Sequence, residues 1–305
     1  MEIKKNGEII KFLRKVKKLT QEELASDICS VKQLRRIEKG EPKPSVEIFE
    51  KLLTQMGEDV EKYSYDFINI SDENVYIKVL EIENLIFNYK YVEAREALEE
   101  IKGWKAFSLS NKFYLQFVLH CETVFLTTID KKYEEALKKG NEAINITIKN
   151  FSLDSITTAV LFKREYSILN TMALTYISIG EIETGVSILT NLKTALNRES
   201  VSKNIKQSYL SMICYNLSKC LGLQKKYREA MSICDEGIAV CIEAKTLNNY
   251  GELLYNKAYD FYFLGELTDA KENFLLSYNV FILKGNKKKA DTVKENAINK
   301  YGISL

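Results

Sequence analysis

No proline follows Pro44 in this 305-residue chain, and the only other one is Pro42. Proline removes a backbone N–H and clashes with the preceding helical turn, so it is the strongest interrupter of helices. The long remainder is therefore free to be helical. Its apolar residues recur with a helical period, and no stretch shows the alternation of a half-buried strand. The expectation is an all-α protein. Hydrophobic content of 46% and charged content of 28% suit an ordinary globular protein, and the length allows two domains. No segment approaches the roughly 18 apolar residues of a membrane span. MEIKKNGEIIKFLRK carries charges on both sides of its apolar residues and does not read as a signal peptide. A cytoplasmic protein with no membrane segment is expected.

The six cysteines, Cys29, Cys121, Cys214, Cys220, Cys234 and Cys241, include no CxxC pair, and the single histidine, His120, lies in the apolar run FVLHCETVFL. Neither pattern has metal-ligand spacing. The cysteines are expected as small buried hydrophobes and His120 as a core or interface residue. There is no Gly-rich phosphate loop, so neither a cofactor, a metal nor an enzymatic activity is expected.

Residues 7–45 read GEIIKFLRKVKKLTQEELASDICSVKQLRRIEKGEPKPS. A first helix is expected from Glu8 to Lys17, with Ile9, Ile10, Leu13 and Val16 inward. Thr20 can cap a second helix, and Glu23 stands where it completes a capping box. Ser30 can cap a third helix with Leu34 and Ile37 inward, and Gly40 ends it. Pro44 and Ser45 open a fourth, with Val46, Phe49, Leu52, Leu53 and Met56 as its apolar stripe. Short helices joined this tightly form a helix-turn-helix, whose third helix enters the DNA major groove. From Met1 to Lys43 there are 12 Lys or Arg against 7 Asp or Glu, a net charge of about +5, which suits a module facing phosphates.

The outward residues of the third helix, Lys32, Gln33, Arg35 and Arg36, are types that read bases: Gln bonds adenine twice, and Arg or Lys bonds guanine O6 and N7. With Ser30 at its start and Gln21 opening the second helix as a phosphate ligand, they form the expected DNA-binding set. Lys17, Lys18 and Lys43 are candidate phosphate contacts. Gln33 has the alternative role of completing a capping box with Ser30, and Arg35 that of a solvated charge. Arg14 and Glu38 are expected to pair with each other inside the domain.

The segment around residues 57–72 loses the helical pattern and is expected to join two domains, 1–66 and 67–305. Beyond it the sequence repeats. YNLSKCLGLQKKYREAMSICDEGIAV from Tyr215 superposes on YNKAYDFYFLGELTDAKENFLLSYNV from Tyr255 without a gap, and LNTMALTYISIGEIETGVSILTNLKTAL from Leu169 joins them. Each copy has a small residue and then a large one three positions on (Ala173 and Tyr176, Ser218 and Leu221, Ala258 and Phe261). Another small residue opens the second helix (Gly185, Ala230, Ala270). This resembles a degenerate tetratricopeptide repeat. About five copies are expected between 73 and 286, stacked as a right-handed superhelix, with a polar capping helix from Lys287 to Tyr301.

Asn170, Asn216 and Asn256 recur on the first helices. An amide can bond both the N–H and the C=O of an extended peptide, while Tyr259 and Phe263 could select side chains. Helix capping or solvent exposure is the alternative for the asparagines.

The motif LTQEELA…RRIEKGEPKPS resembles the Xre/Cro type of helix-turn-helix. Followed by five degenerate repeats, it resembles the quorum-sensing regulators grouped as Rgg, Rap, NprR, PlcR and PrgX, and in particular the PlcR branch, which shares the short recognition turn in ICSVKQLRRIEKG. The resemblance implies that a secreted, reimported signalling peptide binds the repeat domain, that Asn170 and Asn216 contact its backbone, and that Asn256 stands where the PlcR type has Gln. It implies Lys90, in FNYKY, as the candidate for the peptide carboxylate, where the PlcR type has a lysine pair. It also implies a homodimer reading a palindromic double-stranded DNA site. The competing expectation is a repeat module that binds a response-regulator protein, as Rap-type relatives do, with DNA binding secondary.

Overall fold

Three of the first four helices start where a side chain caps them. In the computed structural model, which describes residues 2–41, 44–58, 73–161, 163–198, 201 and 203–305, Thr20 Oγ1 accepts from Glu23 N while the Glu23 carboxylate accepts from Thr20 N, a complete capping box. Ser30 and Ser45 cap the next two in the same way. These helices are α1 (Glu2–Val16), α2 (Gln21–Ala25), α3 (Val31–Glu38) and α4 (Val46–Gln55). Helix α1 begins six residues before the expected Glu8. The end of α3 is a Schellman motif: Gly40 N donates to Ile37 O, Glu41 N donates to Arg36 O, and Gly40 takes φ 78°.

Ile10, Leu13, Leu24, Leu34, Ile37, Leu52 and Leu53 make the small core these helices share. Gly7 is part of the fit. A Cβ there would land within bonding distance of the Ile37 carbonyl, so only glycine lets α1 approach the end of α3 this closely. The inferred boundary at 66/67 and residues 59–72 of the expected 57–72 linker lie outside the described residues, as does Lys43.

Among the described residues eleven α-helices follow, as five pairs and a last helix. The pairs are α5 (Glu73–Phe87) with α6 (Tyr91–Lys102), α7 (Lys112–Phe125) with α8 (Tyr133–Thr147), α9 (Lys163–Ser178) with α10 (Ile182–Leu196), α11 (Lys203–Leu223) with α12 (Tyr227–Glu243), and α13 (Tyr250–Phe263) with α14 (Leu267–Leu283). Helix α15 (Lys287–Tyr301) is the expected cap. Among the described residues there is no strand and no helix long and apolar enough to cross a membrane.

One turn design links every pair. A single residue takes left-handed backbone between the helices: Tyr89, Lys131, Gly180, Lys225 and Gly265. In the last three pairs the next N–H reaches back to the large residue of the repeat, as Glu181 N to Tyr176 O, Lys226 N to Leu221 O and Glu266 N to Phe261 O. The large position thus marks both a packing residue and the start of the helix stop. The small positions are closely packed: a Cβ on Gly185 would lie 2.7 Å from Ala173 O, and Ala173, Ser218, Ala230, Ala258 and Ala270 are fully buried.

The chain divides into two units, one comprising Met1–Lys149 with Phe162–Arg164, the other Asn150–Leu161 with Glu165–Leu305. Within the first, Tyr76 of α5 joins the core of the N-terminal helices, its ring 5.1 Å from Phe12 in an edge-on contact. All six cysteines are free. His120 is buried in α7, and burial holds its imidazole down at about 4, the behaviour expected of a core histidine.

Candidate nucleic-acid interface and ligand face

Helix α3 presents two kinds of side chain. Leu34 and Ile37 are buried, whereas Lys32, Gln33, Arg35 and Arg36 are exposed. Among the described residues the side chains of Lys32, Gln33 and Arg36 have no bonding partner. Ser30 Oγ accepts from Gln33 N at 3.2 Å, so its hydroxyl oxygen serves as the helix cap. The Gln33 side chain does not return the bond, which leaves its amide free toward solvent.

Behind that face lies a bonded network. Glu38, 5% exposed, accepts from Arg14 Nε at 2.6 Å and from Arg14 Nη2 at 3.0 Å, the bidentate pairing that strengthens a carboxylate–guanidinium contact. The Glu38 bond raises the Arg14 pKa further above its ordinary value. Gln21 Nε2 donates to Glu38 Oε2 at 2.7 Å, and Arg35 Nε donates to Gln21 Oε1 at 3.4 Å. Gln21, expected to hold a phosphate, is therefore the link between the buried carboxylate and the exposed Arg35, and it ties the start of α2 to α3. Lys18 is exposed. Lys17, expected on phosphate, instead pairs at 3.0 Å with the buried Glu58: a nearby carboxylate with no solvent of its own takes the ammonium.

In the second unit the recurrent asparagines form a ladder across the first helices. Asn216 Nδ2 on α11 donates to Asn170 Oδ1 on α9 at 2.8 Å. Asn256 Nδ2 on α13 donates to Tyr215 O at 3.0 Å and to Ser218 Oγ at 2.9 Å. All three are buried, each 7% exposed, which answers the alternative that they are wet surface residues. Their mutual bond fixes the amide orientations. Asn170 keeps its NH2 unbonded and Asn216 keeps its Oδ1 unbonded, and neither atom is sealed from solvent. The pair thus keeps one donor and one acceptor open, the two kinds of group a peptide backbone bonds. Asn256 differs: both its amide hydrogens are used, so it can only accept.

Tyr259, one turn from Asn256 on α13, is half-buried in an aromatic group. Its ring lies 4.6 Å from Phe263, 6.4 Å from Tyr227 and 6.3 Å from Tyr301. Lys90 is exposed at the start of α6, in the first unit. The Tyr215 carbonyl and Ser218, which hold Asn256, were not legible as site residues in the sequence; the small residue at 218 signalled only close packing.

A helix-turn-helix model matches residues 10–62, and a model of the RNPP family C-terminal domain matches residues 80–288. A search of curated protein sequences gives no match. Among solved structures, the chain is similar to Bacillus thuringiensis PlcR in complex with the peptide PapR7 and DNA, at 19% identity and TM-score 0.64, covering 95% of this chain and 99% of that one. It is similar to ComR from S. thermophilus in complex with DNA and its signalling peptide ComS, at 17% identity and TM-score 0.51, covering 95% and 97%. It is also similar to the SHP pheromone receptor Rgg2 of Streptococcus dysgalactiae, at 13% identity and TM-score 0.51, again covering 95% and 97%. These identities speak to the shared fold, while the C-terminal family model spans the greater part of the chain: the protein belongs to the RNPP family.

Proposed function

We propose that the protein is a cytoplasmic transcription regulator that binds a palindromic double-stranded DNA site as a homodimer and is controlled by a short signalling peptide, secreted and taken back into the cell. Residues 1–66 form the DNA-binding domain and 67–305 the peptide-binding and dimerisation domain. Lys32, Gln33 and Arg36 read base edges. Arg35 and Gln21, braced by Glu38, set the angle of α3 and lie nearest the phosphates. Ser30 orients the helix start through its cap.

The observation that carries this reading is the Asn170–Asn216 pair, two buried amides that hold each other so that one donor and one acceptor stay free. An extended peptide laid across α9 and α11 satisfies both without regard to its side chains. Asn256 accepts one further N–H, Tyr259 packs a peptide side chain, and Lys90 pairs with the peptide carboxylate. The PlcR structure, solved with the peptide PapR7 and DNA, and the ComR structure, solved with DNA and its signalling peptide, support both halves of the proposal. For the peptide to act as a switch it must bind one arrangement of the repeats more tightly than another.

The test is a gel shift on DNA upstream of the protein's own gene, with and without synthetic peptides encoded by short neighbouring reading frames. A peptide-dependent change in DNA affinity supports the reading. DNA binding that no peptide alters removes the sensing half, and the absence of any DNA binding removes the whole.

A further inference from the structure

One turn beyond Asn256, α13 carries a carboxylate with nothing to bond. Asp260 is 1% exposed, and neither carboxylate oxygen has a hydrogen-bond partner. Buried polar groups are almost always satisfied, and an orphaned carboxyl is among the costliest to leave so. Asp260 packs against α11 at residue 222, which is glycine. A side chain there would begin 2.7 Å from Asp260 Oδ1 and 3.4 Å from Tyr259 Cε1.

The Tyr259 ring thus stands beside the carboxylate, and it belongs to the wall formed with Phe263 and Tyr227, the last two stacked at 5.4 Å. Phe263 is 47% exposed, so the aromatic group runs from solvent to the Tyr259 ring. Just past the end of α11, Gln224 buries a second unpartnered acceptor, Oε1. Among the described residues no cation bonds the carboxylate: Lys257, the nearest in sequence, is paired with Asp235 at 2.6 Å. The other titratable groups that feel Asp260 are the Tyr259 phenol on its own helix and the Cys234 thiol on α12.

We infer that this is a cation-reading subsite: Asp260, behind the Tyr227, Tyr259 and Phe263 rings, receives a cationic group of the bound peptide, from a Lys or Arg side chain or from its free N-terminus. Aromatic faces attract an organic cation and a buried carboxylate pairs with it, each worth more away from water. The inference rests on the ladder as the peptide site, and it adds a selectivity that the backbone-directed asparagines cannot supply. Burial raises the Asp260 pKa to about 8, so the acid holds a proton at neutral pH when the site is empty. An arriving cation replaces that proton, which leaves to the buffer.

The test uses the full chain and three pools of short synthetic peptides of random sequence: Nα-acetylated with Lys or Arg, free at the N-terminus without Lys or Arg, and acetylated without either. Calorimetry is expected to show one of the first two pools binding about 10-fold tighter than the third. Which of them wins identifies the source of the cation. The preferred pool should release a proton on binding, seen as a buffer-dependent heat. Asp260→Asn, the neutral isostere of the protonated acid, should abolish both the preference and the proton release, and Gly222→Ala should abolish the preference by crowding Oδ1. Equal binding of the three pools, or a preference that survives Asp260→Asn, overturns the subsite. If Asn216→Ala still weakens every pool in that case, the ladder reading stands. If no pool binds the wild-type chain, subsite and ladder fall together.

Discussion

The recognition helix and the asparagine ladder satisfy their polar groups in opposite ways. On α3, Lys32, Gln33 and Arg36 stand exposed and unbonded, while the groups behind them, Arg14, Gln21 and Glu38, are bonded to one another. On α9, α11 and α13 the proposed peptide-binding amides themselves are buried and bonded: Asn216 to Asn170, and Asn256 to Tyr215 and Ser218. A DNA-reading surface meets a polyanion in water. It can leave long cationic side chains free, because the phosphates supply most of the affinity and base contacts the rest. A peptide-reading face must offer amides to a backbone that is itself fully hydrogen-bonded to water. It gains only if those amides are already oriented, since each net hydrogen bond is worth about 1 kcal/mol. Preorganisation therefore sits behind the proposed DNA-reading residues in the first region and within the proposed peptide-binding residues in the second.

That contrast can be broken at either end. Replacing both Lys32 and Arg36 with Ala should cost about 100-fold in DNA affinity by gel shift, at roughly 1–3 kcal/mol for each base contact. It should change unfolding stability by no more than about 0.5 kcal/mol, as expected for free surface residues. Glu38→Ala should do the reverse in denaturant unfolding, lowering stability by about 3 kcal/mol because Arg14 is left without its carboxylate. DNA affinity should fall as well, since Arg35 loses its brace through Gln21. Gly7→Ala sets two effects against each other. Alanine favours the helix by about 1 kcal/mol, but its Cβ collides with the Ile37 backbone, and such overpacking costs about 1–3 kcal/mol. A net loss of stability is expected, where helix propensity alone would give a gain.

In the second region the ladder is read in binding. Asn216→Ala should weaken peptide binding by about 10-fold in calorimetry, the worth of about 1.4 kcal/mol. DNA binding without peptide should stay unchanged. The pH dependence of Asp260 supplies a slope. Its folded pKa, about 8, lies above the ordinary carboxyl value of 3.8. The folded state therefore binds the proton more tightly, and its stability falls as pH rises from about 4 to about 8, by at most about 1.4 kcal/mol per pH unit. Asp260→Asn should remove that slope, so thermal unfolding of variant and wild type should differ more at pH 8 than at pH 5.

What the sequence shows and hides follows the range of the interactions. The capping box of Thr20 and Glu23, the Ser30 and Ser45 caps and the Gly40 stop act within a few residues, and each is found where the sequence places it. The last three pairs are equally legible, because small and large residues repeat at fixed intervals in them. The early start of α1 is not: Gly7 argues locally against helix, and its reason, the Ile37 carbonyl, lies thirty residues away. The same holds for Gln21. Its position at a helix start suggests a phosphate, and only the fold shows Glu38 beside it. Asn170 and Asn216 could be selected by their repeat positions, but that they bond each other across 46 residues depends on how α9 and α11 pack. Asp260 gives no sequence signal at all, since an aspartate on a helix is ordinarily solvated.

The central claim, that one chain joins a DNA-reading helix to a peptide-reading ladder, is tested most directly by titrating synthetic peptides from neighbouring reading frames into gel shifts of the upstream DNA, with wild type and Asn216→Ala in parallel. The account predicts that a peptide shifts wild-type DNA affinity, and that the variant binds DNA equally well without peptide but needs about 10-fold more peptide for the same shift. A variant that responds to the peptide at the wild-type concentration would contradict it.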